Sequence, residues 1–352
     1  MLTNQLHPVI REDIDDITSY NLDWNRFRNK NLLITGANGF LAAYIVYTFL
    51  NLNDKYNTNC KVIGVSRNRE KAAARFGDLT GRKDFRIIYE DVCNPFTVNG
   101  KLDFIIHAAS QASPKYYGID PVGTLNANVF GTNNLLQLAK ENEVESFLFF
   151  SSGEVYGQVD NSKVPTKEDQ YGYLNPLDFR SCYAESKRLA ETMCVSWHHQ
   201  FGIPIKIVRP FHTYGPGLDL NDGRVYADFV SDVLNNRNII LKSDGTAQRA
   251  FCYLSDATKG FLTVLLKGEN GKAYNIGNNN EEVSIFDLAK NLISLYPEKN
   301  LEVMREDRLK DLNYIESPIK RNSPDTSEAN KLGWKATTGI REGFKRTINS
   351  FL

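Results

Sequence analysis

The chain has 352 residues, 24 % of them charged and 41 % hydrophobic, and 42 basic side chains balance 42 acidic ones. That length fills one large domain or two modest ones. The zero net charge argues against a nucleic-acid protein, the longest apolar runs are too short to span a bilayer, and five scattered cysteines without a CxxC pair fit reduced thiols, not a disulfide framework.

Residues 1–30 open acidic and lack the apolar stretch of a signal peptide. They read as an appended segment of one or two short helices, with Asp23 and Trp24 placed to begin one of them. Together with the reduced thiols this predicts a cytoplasmic protein. NLLITGANGFLAAYIVYTFLN then gives an apolar run from Leu32 to Thr35, a glycine turn, and a helical pattern from Phe40 onward. Further β-rich runs lie at 61–68, 85–92, 102–110, 146–157 and 203–215. Helical patterns fall between them, at 123–142 and around YAESK at 183–187. Continuous apolar strands alternating with helices predict an α/β fold, a Rossmann-type doubly wound parallel sheet covered on both faces. Ligands in such sheets bind at the carboxyl ends of the strands. After residue 215 the pattern turns Gly/Pro/Asp-rich, and VSIFDLAKNLISLY (283–296) reads as an amphipathic helix with Ser284 as its N-cap. The predicted division is an N-terminal extension (1–30), a dinucleotide-binding domain (31–215), and a smaller C-terminal substrate-binding domain (216–352) interleaved with it.

Three features carry chemistry. TGANGFLA places Gly36 and Gly39 directly after the first strand and at the mouth of a helix, where glycine permits a tight turn and the close approach of a pyrophosphate. The helix points its N–H groups and dipole at that anion. The second strand ends in VSRNREK, with no acidic residue to hold a ribose 2′-hydroxyl; Arg67 and Arg69 suit a 2′-phosphate, or are solvated loop arginines. This favours NADP(H) over NAD(H), which remains possible. Tyr183 and Lys187 stand one helical turn apart, so a cation would face the phenol and lower its pKa toward proton exchange. Spacing alone also fits an ordinary surface helix. No His/Cys/Asp group has metal-ligand spacing, and no metal is expected.

The set formed by the glycine turn, HAAS (107–110), SSGEVYG (151–157), YAESK, RPFHTYGP (209–216), NDGRV (221–225) and QRAFCYLSD (248–256) resembles the extended short-chain dehydrogenase/reductases of the nucleotide-sugar epimerase/dehydratase family, nearest in look to the UDP-glucuronate decarboxylases. The resemblance runs from about Asn31 to about Tyr296. It implies Tyr183 as acid/base, Lys187 lowering its pKa and holding the nicotinamide ribose, Ser152 on the C4 oxygen, and Glu154 as a shared catalytic glutamate. It implies a cofactor groove lined by Gly36, Asn38, Gly39, Phe40, Leu41, Arg67, Asp91, Val92, Ala108, Ala109, Lys187 and Pro210. A nucleotide-diphosphate-sugar substrate would meet Ser110, Ser152, Gly153, His212, Arg224 and Arg249, with Arg249 on the diphosphate. A homodimer through the 123–142 and 183–200 helices is also implied, with no nucleic-acid or membrane partner.

Departures from the family pattern steer the reaction. Gly153 stands where dehydratases have an aspartate acid and decarboxylases commonly a serine, and His212 stands where relatives have an asparagine on the substrate phosphates. With the basic turn at Arg67, these lean toward net reduction of a dTDP- or UDP-linked 4-keto-6-deoxyhexose. UDP-glucuronate decarboxylation and 4-epimerisation stand as alternatives, and a non-catalytic NADP-binding scaffold is the reading from another class.

Overall fold

The structure, a computed structural model, describes residues 6–306 and 319–352; the first five residues of the predicted extension and 307–318 of the predicted substrate domain lie outside the described residues. The central sheet contains β1 (Asn31–Thr35), β2 (Lys61–Val65), β3 (Phe85–Ile88), β4 (Phe104–His107), β5 (Ser146–Phe150), β6 (Ile205–Pro210) and a seventh strand, Ala273–Ile276. Their order is seventh–β6–β5–β4–β1–β2–β3, and every neighbouring pair is parallel. The chain reverses direction across the sheet between β1 and β4, so the switch point lies at their carboxyl ends. The helices are α1 (Pro8–Ser19), α2 (Phe40–Tyr56), α3 (Arg69–Phe76), α4 (Pro114–Ile119), α5 (Pro121–Asn142), α6 (Cys182–Phe201), α7 (Val225–Leu234), α8 (Leu254–Lys267), α9 (Ile285–Ser294), α10 (Ser327–Lys331) and α11 (Ile340–Asn349).

The period-two alternation of strand side chains builds two cores on opposite faces. Leu32, Ile34, Phe104, Ile106, Leu148, Phe150 and Val208 point into the layer made by α1, α2 and α8. Leu33, Ile105, Phe147, Phe149, Ile205 and Ile207 point into the layer of α5 and α6. A third apolar cluster, with Tyr226, Phe229, Phe251, Leu288 and Phe344, joins α7, α9 and α11 on the substrate side. The chain beyond 215 is shared between the two regions: α8 and the seventh strand pack on the central sheet, while α7, α9 and α11 pack on one another.

The β-rich runs are longer in the sequence than the strands they make. The polar tails of 61–68, 85–92, 102–110 and 146–157 leave the sheet at Val65, Ile88, His107 and Phe150. After β5, the Ser152 hydroxyl accepts from the Glu154 N–H at 3.2 Å and starts a 3-10 turn, Gly153–Tyr156. The run 203–215 breaks after Pro210, where His212 adopts φ +25°. Ser284 caps α9 by accepting from the Asp287 N–H, as its position predicts.

The N-terminal extension is tied into the body by a buried carboxylate. Asp13 on α1, 3 % exposed, accepts from the hydroxyls of Tyr44 on α2 (2.9 Å) and Tyr253 (2.7 Å), and from Arg346 on α11 (2.8 Å). Trp24–Phe27 forms a 3-10 turn, and Phe27 packs between Phe49 and Phe104. Replacing one member of a buried, hydrogen-bonded charged group leaves the others unpaired, at a cost of about 3–5 kcal/mol. Asp13→Ala should therefore lower the urea midpoint of unfolding by an amount equivalent to at least ~2 kcal/mol. A midpoint unchanged from wild type would show that the knot is not structural.

Candidate active site

Gly36 ends β1 with φ +64°, and a Cβ there would stand 2.8 Å from the Ala109 Cα. The turn after β1 and the exit from β4 thus touch at the switch point, an approach open to glycine alone. Gly39 is the N-cap of the 17-residue α2 and supplies no side-chain cap, which leaves the helix N–H groups free for an anion. The Ser66 hydroxyl donates to Asn38 Oδ1 at 2.7 Å and holds the turn against the end of β2. A cleft of about 1890 Å³ runs along this carboxyl edge and continues toward α7. Every residue expected above to meet cofactor or substrate lines it, except Arg69. A cradle that excludes a Cβ, followed by an uncapped helix, fits the pyrophosphate of a nicotinamide dinucleotide.

At the far end of the cradle Arg67 lies 3.8 Å from Asp91, both side chains substantially exposed. Arg69 does not share this position: its guanidinium stacks 4.1 Å from the ring centroid of Tyr89, and Asn68 caps α3 between them. The cleft is instead lined by Lys71 and Arg75, one turn apart on α3, which sequence reasoning missed because the helix register was not assigned. Arg75 Nη2 donates to the Gly217 carbonyl at 3.0 Å and bridges the cleft to the loop after β6.

The catalytic candidates sit where β5 and α6 meet. Tyr183 and Lys187 occupy the first two turns of α6 and are 6 % and 2 % exposed. Lys187 Nζ donates to the Phe150 carbonyl at 2.6 Å and lies 4.8 Å from the centroid of the Phe149 ring. Burial pulls its pKa down to about 7. Tyr183 stacks on Tyr117 of α4, with centroids 5.3 Å apart and planes 17° apart. Burial raises the phenol's pKa, against the opposing pull of a Ser152 hydrogen bond and of the Arg224 charge. Lys187 Nζ is 5.9 Å from the Tyr183 ring centroid, one helical turn away as the spacing of YAESK predicts.

Gly153 packs tightly on Phe211: a Cβ would lie 3.0–3.1 Å from three atoms of its ring, so a side chain there needs the ring to shift by a few tenths of an ångström. Glu154 is half-buried at the cleft wall, which is also lined by Arg180, an arginine that the sequence reading passed over. Arg224 bonds the Ala112 carbonyl at 3.0 Å and lies 3.1 Å from Asp222, and Arg249 donates to the carbonyls of Gln248, Ile319 and Lys320. Both guanidinium-bearing residues therefore line the cleft as fixed features of its far wall. His107 is structural: its Nδ1 lies 2.8 Å from Thr35 Oγ1, and burial pushes its pKa down to about 3. Arg209, the first residue of RPFHTYGP, is buried in a two-pronged pair with Glu191 (2.8 and 2.6 Å) and also bonds the hydroxyls of Tyr156 and Tyr171.

Residues 32–277 match the NAD dependent epimerase/dehydratase family. The chain is 35 % identical over 318 residues to UDP-glucuronic acid decarboxylase 6 of Arabidopsis thaliana, covering 90 % of this chain and 87 % of that protein. It is 34 % identical over 324 residues to UDP-glucuronic acid decarboxylase 1 of Danio rerio, covering 92 % and 72 %. In fold it is similar to the UDP-glucuronic acid 4-epimerase of Bacillus cereus, solved with UDP-glucuronic acid and NAD (TM-score 0.75, 23 % identity, 91 % and 98 % covered). It is also similar to the UDP-N-acetylglucosamine 4-epimerase of Methanobrevibacter ruminantium (TM-score 0.78, 23 % identity, 92 % and 98 % covered). The chain belongs to the NAD dependent epimerase/dehydratase family, the extended short-chain dehydrogenase/reductases that act on nucleotide sugars.

Proposed function

We propose that the chain carries out net reduction at C4 of a 4-keto-6-deoxyhexose linked to dTDP or UDP, using NADPH. The observation that carries this reading is the wall opposite Tyr183. Gly153 packs against the Phe211 ring and offers no acid to C5 or C6, whereas Tyr183 and Ser152 line the same cleft. Tyr183 and Ser152 thus serve one oxygen, that on C4. Tyr183 gives its proton to the C4 oxygen as it becomes an alkoxide, and the burial that keeps the phenol protonated suits it to be the acid. Ser152 orients the carbonyl by hydrogen bonding. Lys187, anchored by one N–H on Phe150, has further N–H groups to hold the nicotinamide ribose. Reduced nicotinamide, when bound, supplies the hydride. Gly36, Gly39 and the start of α2 would hold its pyrophosphate, and Ser66, Arg67 and Lys71 would meet a 2′-phosphate.

A second reading, UDP-glucuronate decarboxylation, is favoured by the relatives at 34–35 % identity. It needs the same C4 chemistry, since a 4-keto group lets the neighbouring carboxylate leave without an acid at 153. We further infer a homodimer on the α5/α6 face, where Leu125, Phe130, Leu189 and Val195 are exposed.

Absorbance at 340 nm with a panel of nucleotide sugars separates the readings. The first requires stoichiometric NADPH consumption with a 4-keto sugar nucleotide. Carbon dioxide release from UDP-glucuronate at ~1 s⁻¹ or more, with no net change at 340 nm, decides for the second. Under either reading Tyr183→Phe should lower kcat by ~10²–10⁴-fold while cofactor still binds. A rate within a few-fold of wild type would remove the phenol from the mechanism. Arg67→Ala should weaken NADPH more than NADH, by roughly 1.5–3 kcal/mol, the worth of a hydrogen bond to a charged group. Equal losses for the two cofactors, measured by fluorescence titration, would refute the 2′-phosphate contact.

A further inference from the structure

We infer that Tyr117 of α4 is a positioning residue for the proton donor: its ring holds the Tyr183 phenol in its reacting pose, and it acts on the rate through Tyr183 alone. The inference rests on the reading of Tyr183 above as the acid at C4. Tyr117 and Tyr183 are 4 % and 6 % exposed, and both line the cleft. Their rings lie nearly parallel, 17° apart in plane, with centroids separated by 5.3 Å. That separation is the offset stack that aromatic pairs prefer. With Cys182 the two rings form a small cluster of their own, against which Ala112 packs, separate from the cores on the two faces of the sheet.

A phenol at the start of a helix needs such a support. The backbone of α6 fixes where the Tyr183 side chain leaves the helix, but the hydroxyl lies at its far end. A small swing of the side chain therefore displaces the hydroxyl most. Proton transfer requires it within roughly 2.6–3.2 Å of the oxygen that receives the proton. Lys187 does not restrain the ring, because its Nζ is held on the Phe150 carbonyl and lies 5.9 Å from the Tyr183 centroid. A flat ring packed on the face of the phenol blocks displacement toward that side.

The support is itself anchored at both ends. The Tyr117 hydroxyl donates to the Ala112 carbonyl at 3.1 Å, and the same carbonyl accepts from Arg224 Nη2 at 3.0 Å. The Ser113 hydroxyl donates to the Asp222 carbonyl, and Lys115 Nζ donates to the Asn221 carbonyl at 3.0 Å. Beyond α4, Asp120 accepts from the Gly123 N–H at 2.9 Å and caps α5, and it accepts from Gln111 Nε2 at 3.0 Å. The segment that carries Tyr117 is thus pinned to the substrate-side loop before α7 and to the head of α5. Tyr117 carries the position of that far wall to the phenol.

Steady-state rates of Tyr117→Phe and Tyr117→Leu, each alone and combined with Tyr183→Phe, test this. The substrates are dTDP-4-keto-6-deoxyglucose with NADPH and UDP-glucuronate with NAD, whichever wild type turns over. Tyr117→Phe keeps the stack, and Arg224 still serves the Ala112 carbonyl, so kcat should stay within about threefold of wild type. Tyr117→Leu keeps apolar volume but not the flat face, and should lower kcat by ~10–10²-fold while KM and cofactor Kd change by less than about threefold. In the Tyr183→Phe background the same Leu substitution should change kcat by less than about twofold, because the effects of groups that act as a unit do not add. Urea midpoints report the fold, and Tyr117→Met replaces the Leu variant if that one does not fold. A Leu loss that persists in full without the Tyr183 hydroxyl makes Tyr117 merely structural. A loss in KM instead of kcat makes it a substrate contact, and a Phe variant as slow as the Leu variant assigns the work to its hydroxyl. Each of these overturns the inference and leaves the reading of the site standing. A wild-type rate in Tyr183→Phe, or no turnover of either substrate, overturns both.

Discussion

The contact of Gly36 with Ala109 is the constraint on which the site depends. The turn after β1 and the exit of β4 can approach to this distance only because residue 36 has no Cβ. That approach sets where α2 begins, and hence where its uncapped N–H groups point. It also sets the level at which the ends of β5 and β6 emerge, since the strands are paired in fixed parallel register from β1 outward. Ser152 and His212 reach the cleft from those two strand ends, so the cofactor cradle and the reacting residues share one origin. A side chain at position 36 would displace them together.

The net charge of zero conceals a separation of roles among the cations. Lys187 is buried, held on a carbonyl and an aromatic face, and titrates near neutrality. Arg209 is buried and spent on Glu191, two tyrosines and a carbonyl, where it locks α6 to β6 and takes no part in the cleft. Arg67, Lys71 and Arg75 line one end of the cleft, and Arg224 and Arg249 the other. Lys115, Arg180 and Lys242 line it as well, so the cleft wall is rich in cations while the buried ones are committed to the fold.

Much of this was legible in the sequence because it depends on local rules. The turn at Gly36 and Gly39, the Tyr183/Lys187 spacing and the Ser284 cap are all written within a few residues. What was not legible depends on contacts distant in sequence. The seventh strand, AYNI, is four residues between polar flanks, and its place is set by pairing with β6 some 66 residues earlier, counted from Ile207 to Ala273. The close packing of Gly153 on the Phe211 ring is announced by no pattern around 153. Helical spacing shows that Lys187 is near Tyr183, but not that both side chains are buried or that Tyr117 stacks on the phenol. Lys71 and Arg75 were missed where Arg69 was favoured, because the cap at Asn68 decides which face of α3 turns to the cleft.

The knot at Asp13 has a kinetic meaning. Asp13 and Arg346 are 333 residues apart, so their contact closes nearly the whole chain into one loop. Contacts of such separation carry a large entropic cost until the intervening structure exists, and so they form late. An interaction absent from the folding transition state leaves the folding rate almost untouched and acts on the rate of opening. The appended helix α1 therefore works as a latch. It closes over a sheet and a substrate-side cluster that have already assembled, and it lengthens the time for which they stay together.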